Sequence, residues 1–120
     1  MSVRAIRGAV QLDVDDREHM AARTTELVDE VLRANDLGVE DLISVFFTAT
    51  PDLVSDFPAA AARAAGLGDV PLMCAVEIAV PGSLPRVVRL LAHVETDVPR
   101  ADVRHVYLRG AAVLRRDLAQ

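Results

Sequence analysis

The chain has 120 residues, a formal net charge of -5 and a hydrophobic fraction of 52%. This length and composition predict one globular domain over residues 1–120. With no Trp, one Tyr and three Phe, the core is expected to be aliphatic. An acidic chain with so few aromatic side chains offers neither the basic field nor the stacking surfaces that nucleic-acid binding requires. The composition therefore argues against a nucleic-acid partner.

The cysteine content and the first residues of the chain bear on its location in the cell. Cys74 is the single cysteine, so an intrachain disulfide cannot form. Arg4 and Arg7 occupy positions where a signal peptide would need apolar residues. No apolar run approaches the roughly 18 residues that a membrane-spanning helix requires. We therefore expect a soluble cytoplasmic protein that does not associate with membranes.

The pattern of apolar residues predicts the element order β-α-β-α-β-β-β. Apolar residues at helical spacing after Asp13 predict one amphipathic helix that ends between Asn35 and Gly38, and a short alanine-rich helix is expected between Pro58 and Gly66. Strands are expected over residues 3–12, 42–50, 72–80, 87–96 and 104–108. The predicted fold class is α+β, a mixed β-sheet with two helices.

Two charged residues lie among apolar neighbours in the predicted strands, Glu77 in the third and Arg89 in the fourth. Because a buried charge without a partner costs several kcal/mol, each needs a partner or a ligand. The two could form a core salt bridge with each other. One carboxylate cannot also neutralise three further cations, Arg7, Arg63 and Arg115. Surplus guanidinium groups in an apolar setting suit a dianionic ligand.

Other kinds of chemistry find little support in the sequence. His19, His93 and His105 lack the spacing of metal ligands, so a metal site is not expected. No orienting group lies near Cys74 in sequence, and a lone cysteine is more often a small apolar residue than a nucleophile. No glycine-rich loop indicates a nucleotide. We expect no metal and no cofactor.

Seven short segments occur in an order that is typical of one enzyme family. They are RAIRGA (4–9), TATPDL (48–53), FPAAAAR (57–63), MCAVE (73–77), RLLAHVETD (89–97), HVYL (105–108) and VLR (113–115). Together they span nearly the whole chain, and they resemble the monofunctional trimeric chorismate mutases of the α/β type. The resemblance implies the rearrangement of chorismate to prephenate, without metal or cofactor, in aromatic amino acid biosynthesis. It also implies a homotrimer with a pseudo-α/β-barrel core and active sites between subunits.

The resemblance assigns roles to individual residues. Arg7 and Tyr107 match residues that hold the enolpyruvyl carboxylate. Arg89 matches the cation that reaches both this carboxylate and the ether oxygen, and Glu77 and Cys74 match groups near the ring hydroxyl. The catalytic set implied is thus Arg7, Glu77 and Arg89. The remaining matches are Phe57, Met73 and Leu114 in the apolar wall, and Arg63 and Arg115 at the entrance near the ring carboxylate.

Two details qualify the site that the resemblance implies. Cys74 and Glu77 are three residues apart, so on a regular strand they point to opposite faces. Either a bulge intervenes or the two residues serve different pockets. Ala60 stands where a lysine is expected in the family, which removes part of the positive charge at the pocket mouth.

Other functions are compatible with a chain of this kind. One alternative is a trimeric protein that binds a carboxylated metabolite without turning it over. Another is a trimeric enamine or imine deaminase of similar architecture, although its Gly-Pro-Tyr-Ser type of signature is missing from this sequence. A third is a structural protein that uses its trimer surface for interaction.

Overall fold

The computed structural model describes residues 2–115, and for Arg115 the backbone alone. Five strands form one mixed sheet with two α-helices, in the predicted element order. The strands are β1 Ser2–Gln11, β2 Leu42–Ala49, β3 Leu72–Val76, β4 Val87–Thr96 and β5 Val106–Leu108, and the helices are α1 Arg17–Ala34 and α2 Pro58–Ala62. The expected mixed sheet with two helices is confirmed.

The strands lie side by side in the order β3-β2-β4-β1-β5. β4 runs antiparallel to both of its neighbours, β1 and β2. The outer pairs, β1 with β5 and β2 with β3, are parallel. β1 is therefore an interior strand. This position suits its sequence, in which Ile6 and Val10 lie on one face and Val3, Ala5 and Ala9 on the other.

Helix α1 packs its apolar stripe against the sheet. It begins after Asp16, whose side chain accepts a hydrogen bond from the His19 N–H at 2.9 Å. Leu27 lies so close to Gly8 of β1 that an added Cβ would approach Leu27 Cδ1 to 3.1 Å. Helical spacing in the sequence predicts a buried stripe that includes Leu32, but Leu32 is only half-buried. The other members of the stripe are buried: Met20, Thr24, Leu27, Val28 and Val31. Within residues 2–115, no helix is long and apolar enough to cross a membrane.

Helix α2 begins with Pro58 and continues into a π-helical turn, Arg63–Leu67. Gly66 closes this turn with φ of 114°, in the left-handed region that glycine adopts without strain. The predicted start at Pro58 and end at Gly66 are confirmed. Ala59 and Ala62 are buried in the main core, so α2 lies close to the sheet near β3.

The two helices cover one face of the sheet and leave apolar side chains on the other. On this uncovered face, Val3 is 58% exposed, Phe46 43% and Met73 62%. One row in register across four strands consists of Met73, Phe46, Leu91 and Arg7. The 3₁₀ turn Arg109–Arg115 packs on one end of the face, where Ala111, Ala9 and Val87 are buried together. The strands thus carry apolar side chains on both faces of the sheet.

Strand β3 is shorter than the sequence pattern predicts. It ends at Val76 rather than at residue 80. Glu77 still donates its N–H to Ala49 O at 3.0 Å, but β2 ends at Ala49, so the following residues have no β2 residue beside them. Glu77 therefore lies just beyond the last regular residue of the strand.

Strand β5 begins at Val106 rather than at residue 104. The reason is a side chain: the Asn35 amide accepts from Arg104 N–H at 2.8 Å and donates to Arg104 O at 2.9 Å. This pair of hydrogen bonds replaces strand pairing at Arg104 and ties the segment before β5 to the end of α1.

Candidate active site

The candidate site lies on the uncovered face, where one row of side chains crosses all five strands. From β3 to β5 the row consists of Ala75, Thr48, Arg89, Ala9 and Tyr107. Only Ala9 separates Arg89 from Tyr107, so their backbones lie two strand spacings apart, about 9 to 10 Å. Two residues that were predicted to contact one carboxylate therefore flank a small residue on the same face.

Arg89 and Glu77 form an ion pair in which Arg89 Nε lies 3.0 Å from Glu77 Oε2. The same carboxylate oxygen accepts a hydrogen bond from Thr48 Oγ1 at 2.7 Å. Arg89 Nε is buried and makes no well-directed hydrogen bond to any described residue, so its contact with Glu77 is that of an ion pair. Because this nitrogen is buried beside Glu77, the donors that a ligand could reach are those of the two terminal guanidinium nitrogens.

This pairing differs from a core salt bridge in its location. The Arg89 side chain is 41% exposed and that of Glu77 is 19% exposed. The apolar neighbours of Arg89 in its strand predict an interior arginine. That prediction is wrong for the single chain, because no helix packs over this part of the sheet. The pair faces a pocket of about 420 Å³ that Thr50, Val76, Ile78, Leu84 and Leu114 also line.

Arg7 lies on the same face of β1 as Ala9, two residues before it, and is half-buried. Its side chain forms no ion pair with any residue from 2 to 114. Its backbone N–H donates to His105 Nδ1 at 3.0 Å. The surplus cation that the sequence predicts is thus present beside the Glu77–Arg89 pair, without a carboxylate of its own.

Cys74 faces the other side of the strand from Glu77. Its Sγ accepts a hydrogen bond from the Ala59 N–H of α2 at 3.3 Å. It lines a second pocket, of about 380 Å³, together with Phe57, whereas Glu77 lines the first. Thr50 and Val76 form a wall common to both pockets. Of the two possibilities raised by their spacing, Cys74 and Glu77 thus serve different pockets within one chain.

The loop that carries Phe57 is held by acidic side chains. Asp15 accepts hydrogen bonds from the Val54 and Ser55 N–H groups, the latter at 3.1 Å. Asp56 accepts from its neighbour Phe57 N–H at 2.8 Å and pairs with Arg17 at 3.1 Å. The Phe57 N–H, and after it Arg17, hold the pKa of Asp56 below its ordinary value. Phe57 itself is 69% exposed, so this loop presents an aromatic ring at the surface.

Known proteins match this chain over almost its whole length. Residues 3–118 match the family model described as chorismate mutase type I. A Thermus thermophilus protein named chorismate mutase AroH is 52% identical over 117 residues, which are 97% of this chain and 96% of that protein. A Bacillus subtilis (strain 168) protein of the same name is 39% identical over 120 residues, 99% of this chain and 94% of that one.

The chain belongs to the chorismate mutase type I family. It is thus an enzyme of the isomerase class that acts on chorismate, and the resemblance carried by the seven segments is confirmed. A solved structure, chorismate mutase from Clostridium thermocellum Cth-682, has a TM-score of 0.89 at 45% identity and covers 91% of this chain and 97% of its own. That likeness agrees with the mixed sheet and the two helices.

The chorismate mutase fold divides the predicted site residues into two groups. The first lies on or beside the uncovered face: Arg7, Met73, Glu77, Arg89, Tyr107 and Leu114. The second lies around α2 and consists of Phe57, Cys74 and the exposed Arg63. Ala60, where a lysine is expected, is half-buried in α2. The side chain of Arg115 lies outside the described part of the chain.

Two threonines were missed by the sequence analysis. Thr48 donates to Glu77, and the buried Thr50 Oγ1 accepts from Val87 N–H at 3.0 Å. Thr50 also donates to Asp52, which accepts from Arg86 N–H at 2.9 Å. A polar residue at alternate positions of an apolar strand was the available signal, since a buried hydroxyl needs a partner.

Proposed function

We propose that the chain rearranges chorismate to prephenate as a cytoplasmic homotrimer, in aromatic amino acid biosynthesis. In this proposal each cleft joins the Glu77–Arg89 pocket of one subunit to the Phe57–Cys74 pocket of the next. One observation carries it: a half-exposed arginine, ion-paired with a carboxylate, lies on an uncovered sheet face. The separation of Cys74 from Glu77 supports a site completed by a second subunit.

The reaction requires the enzyme to stabilise charge and to select a substrate conformation, and it requires no proton transfer. A C–O bond breaks while a C–C bond forms within one molecule, so no nucleophile or base is required. The pocket contributes by holding the compact conformer and by stabilising negative charge on the ether oxygen. Arg89 supplies this second contribution, with Arg7 and Tyr107 holding the enolpyruvyl carboxylate.

Of the residues in the proposed site, Arg89 makes the largest contribution to lowering the activation free energy. A well-placed oxyanion donor is worth about 3 to 4 kcal/mol, whereas an enzyme at the modest end of catalysis needs about 8 kcal/mol in total. Glu77, oriented by the hydrogen bond from Thr48, holds Arg89 and faces the substrate ring hydroxyl. Confinement by Phe57, Met73 and Leu114, with Cys74 near the ring hydroxyl, provides the remainder. Arg63 and Arg115 attract the ring carboxylate at the entrance.

The direct test is to incubate the protein with chorismate and to follow the loss of its ultraviolet absorbance. Conversion to prephenate supports the proposal. A metabolite-binding protein would show affinity without turnover, and a deaminase would leave chorismate intact while releasing ammonia from an enamine. Membership of the chorismate mutase family favours turnover over both.

We expect the chain to form a homotrimer, because an apolar sheet face left open to water favours association. Light scattering should give about three times the 12.9 kDa chain mass at micromolar concentration. Phe46→Asp, which places a charge on the uncovered face, should abolish the trimer. The control is Ala21→Asp, an exposed position on α1, which should leave the mass unchanged. A monomeric wild type would contradict the proposal.

We expect kcat to be nearly flat from about pH 6 to 9. No general acid or base acts in the proposed reaction, and an arginine guanidinium keeps its charge over this range. The measurement is the steady-state rate at saturating chorismate, in buffers of constant ionic strength. A bell-shaped profile with a histidine-like limb would show that the reaction depends on a proton transfer.

A further inference from the structure

We infer that His105 is a positioning residue for Arg7, holding the backbone of β1 so that the Arg7 guanidinium meets the substrate carboxylate. The inference rests on the proposed function and adds a residue to it. Its basis is the hydrogen bond from Arg7 N–H to His105 Nδ1, at 3.0 Å between residues that are 98 apart in sequence. A backbone amide can only donate, so Nδ1 is the ring nitrogen without a proton.

This hydrogen bond extends the pairing between β1 and β5 by one position. The parallel register covers Gly8 with Val106, Ala9 with Tyr107 and Val10 with Leu108. Before that register, the backbone of Arg104 is already occupied by the Asn35 amide. The imidazole of His105 therefore supplies the acceptor that strand pairing does not provide at Arg7.

The position of this contact gives it a functional meaning. Arg7 has no ion pair among the described residues. Its backbone N–H is the group that binds the residue just before β5, His105. Tyr107, two residues after His105, shares the uncovered face with Arg7. A guanidinium that is displaced with its backbone no longer matches the geometry that paired hydrogen bonds to a carboxylate require. His105 thus fixes the position of the Arg7 backbone, from which the guanidinium extends, without contacting the substrate.

The test uses five variants of the full chain, with chorismate as substrate: three substitutions of His105, Arg7→Ala, and the double variant of Arg7→Ala with His105→Leu. His105→Leu should raise KM about five- to tenfold and change kcat less than about twofold. His105→Asn, whose Oδ1 can replace Nδ1, should return KM to within about twofold of wild type. His105→Gln, which places its oxygen near the Nε2 position, should not. In an Arg7→Ala background His105→Leu should raise KM no further, since no guanidinium remains to be positioned.

His19 provides a matched control. Its Nε2 also accepts a backbone N–H, that of Asp13, at 3.0 Å, but at the start of α1. His19→Leu should leave KM unchanged. The Asn and Gln variants, which retain a polar side chain, decide the matter if His105→Leu does not fold. Equal KM values for Asn and Gln, or an undiminished effect in the Arg7→Ala background, would overturn the inference. A wild type that does not convert chorismate would instead overturn the proposed function.

Discussion

Replacing Arg89 by Ala should lower kcat at least about a hundredfold, on the scale of losing one oxyanion donor. The reason is where charge appears during the reaction. The ether oxygen becomes anionic only as the bond breaks, so its donor acts on the transition state rather than on the bound substrate. Steady-state kinetics measures the effect. Circular dichroism and mass measurement should show the variant folded and trimeric, since the residue it removes is 41% exposed and not part of the core.

Arg89→Lys is the informative companion to this variant. It retains a positive charge but loses the planar fork, so we expect only partial recovery of kcat. Removal of Arg89 also leaves Glu77 without its cation, although Thr48 Oγ1 still donates to it. If folded, trimeric Arg89→Ala kept a normal kcat and only KM rose, Arg89 would be a binding residue and the proposed mechanism would be wrong.

Replacing Arg7 by Ala should raise KM about ten- to hundredfold and leave kcat within about fivefold of wild type. In the proposed site Arg7 faces a carboxylate that is charged in the bound substrate and in the transition state alike. Its loss would therefore weaken the binding of both states equally. Kinetics over a wide range of chorismate concentration measures the two constants separately.

Arg4→Ala is the matched control for Arg7→Ala. Arg4 lies on the same strand, but its Nε donates to Val98 O at 2.9 Å, away from the Glu77–Arg89 pair. We expect its KM to remain close to that of wild type. A fall in kcat of a hundredfold in Arg7→Ala, equal to that in Arg89→Ala, would mean that both arginines act on the transition state.

The pattern of apolar residues was sufficient to predict the bounds of an element where those bounds depend on that element's own sequence. β4 was predicted to the residue, because the apolar alternation of Val88, Leu90, Ala92 and Val94 is uninterrupted. The end of β3 could not be predicted in this way. It depends on where β2 ends, and sequence periodicity contains no information about a neighbouring strand. The predicted start of β5 was wrong for a similar reason, since the Asn35 amide that replaces strand pairing comes from another element.

The candidate site shows the same division. The charge of Glu77 and Arg89 among apolar residues indicated that they needed partners, and the ion pair exists. Its exposure was not foreseen, because alternation separates two faces of a strand but does not say which face the helices cover. The acceptor role of His105 was missed altogether, since its donor is 98 residues away and metal-ligand spacing was the pattern considered.

The placement of Cys74 and Glu77 on opposite sides of one short strand has a genetic consequence. In the proposed trimer each subunit lends one wall to its own cleft and another to a neighbour's. A chain that has lost Glu77 still offers an intact Phe57–Cys74 wall, and a chain damaged at that wall still offers Glu77 and Arg89. Two alleles that are each inactive would therefore complement one another in mixed trimers. Some clefts would then combine the undamaged wall of one variant with the undamaged wall of the other.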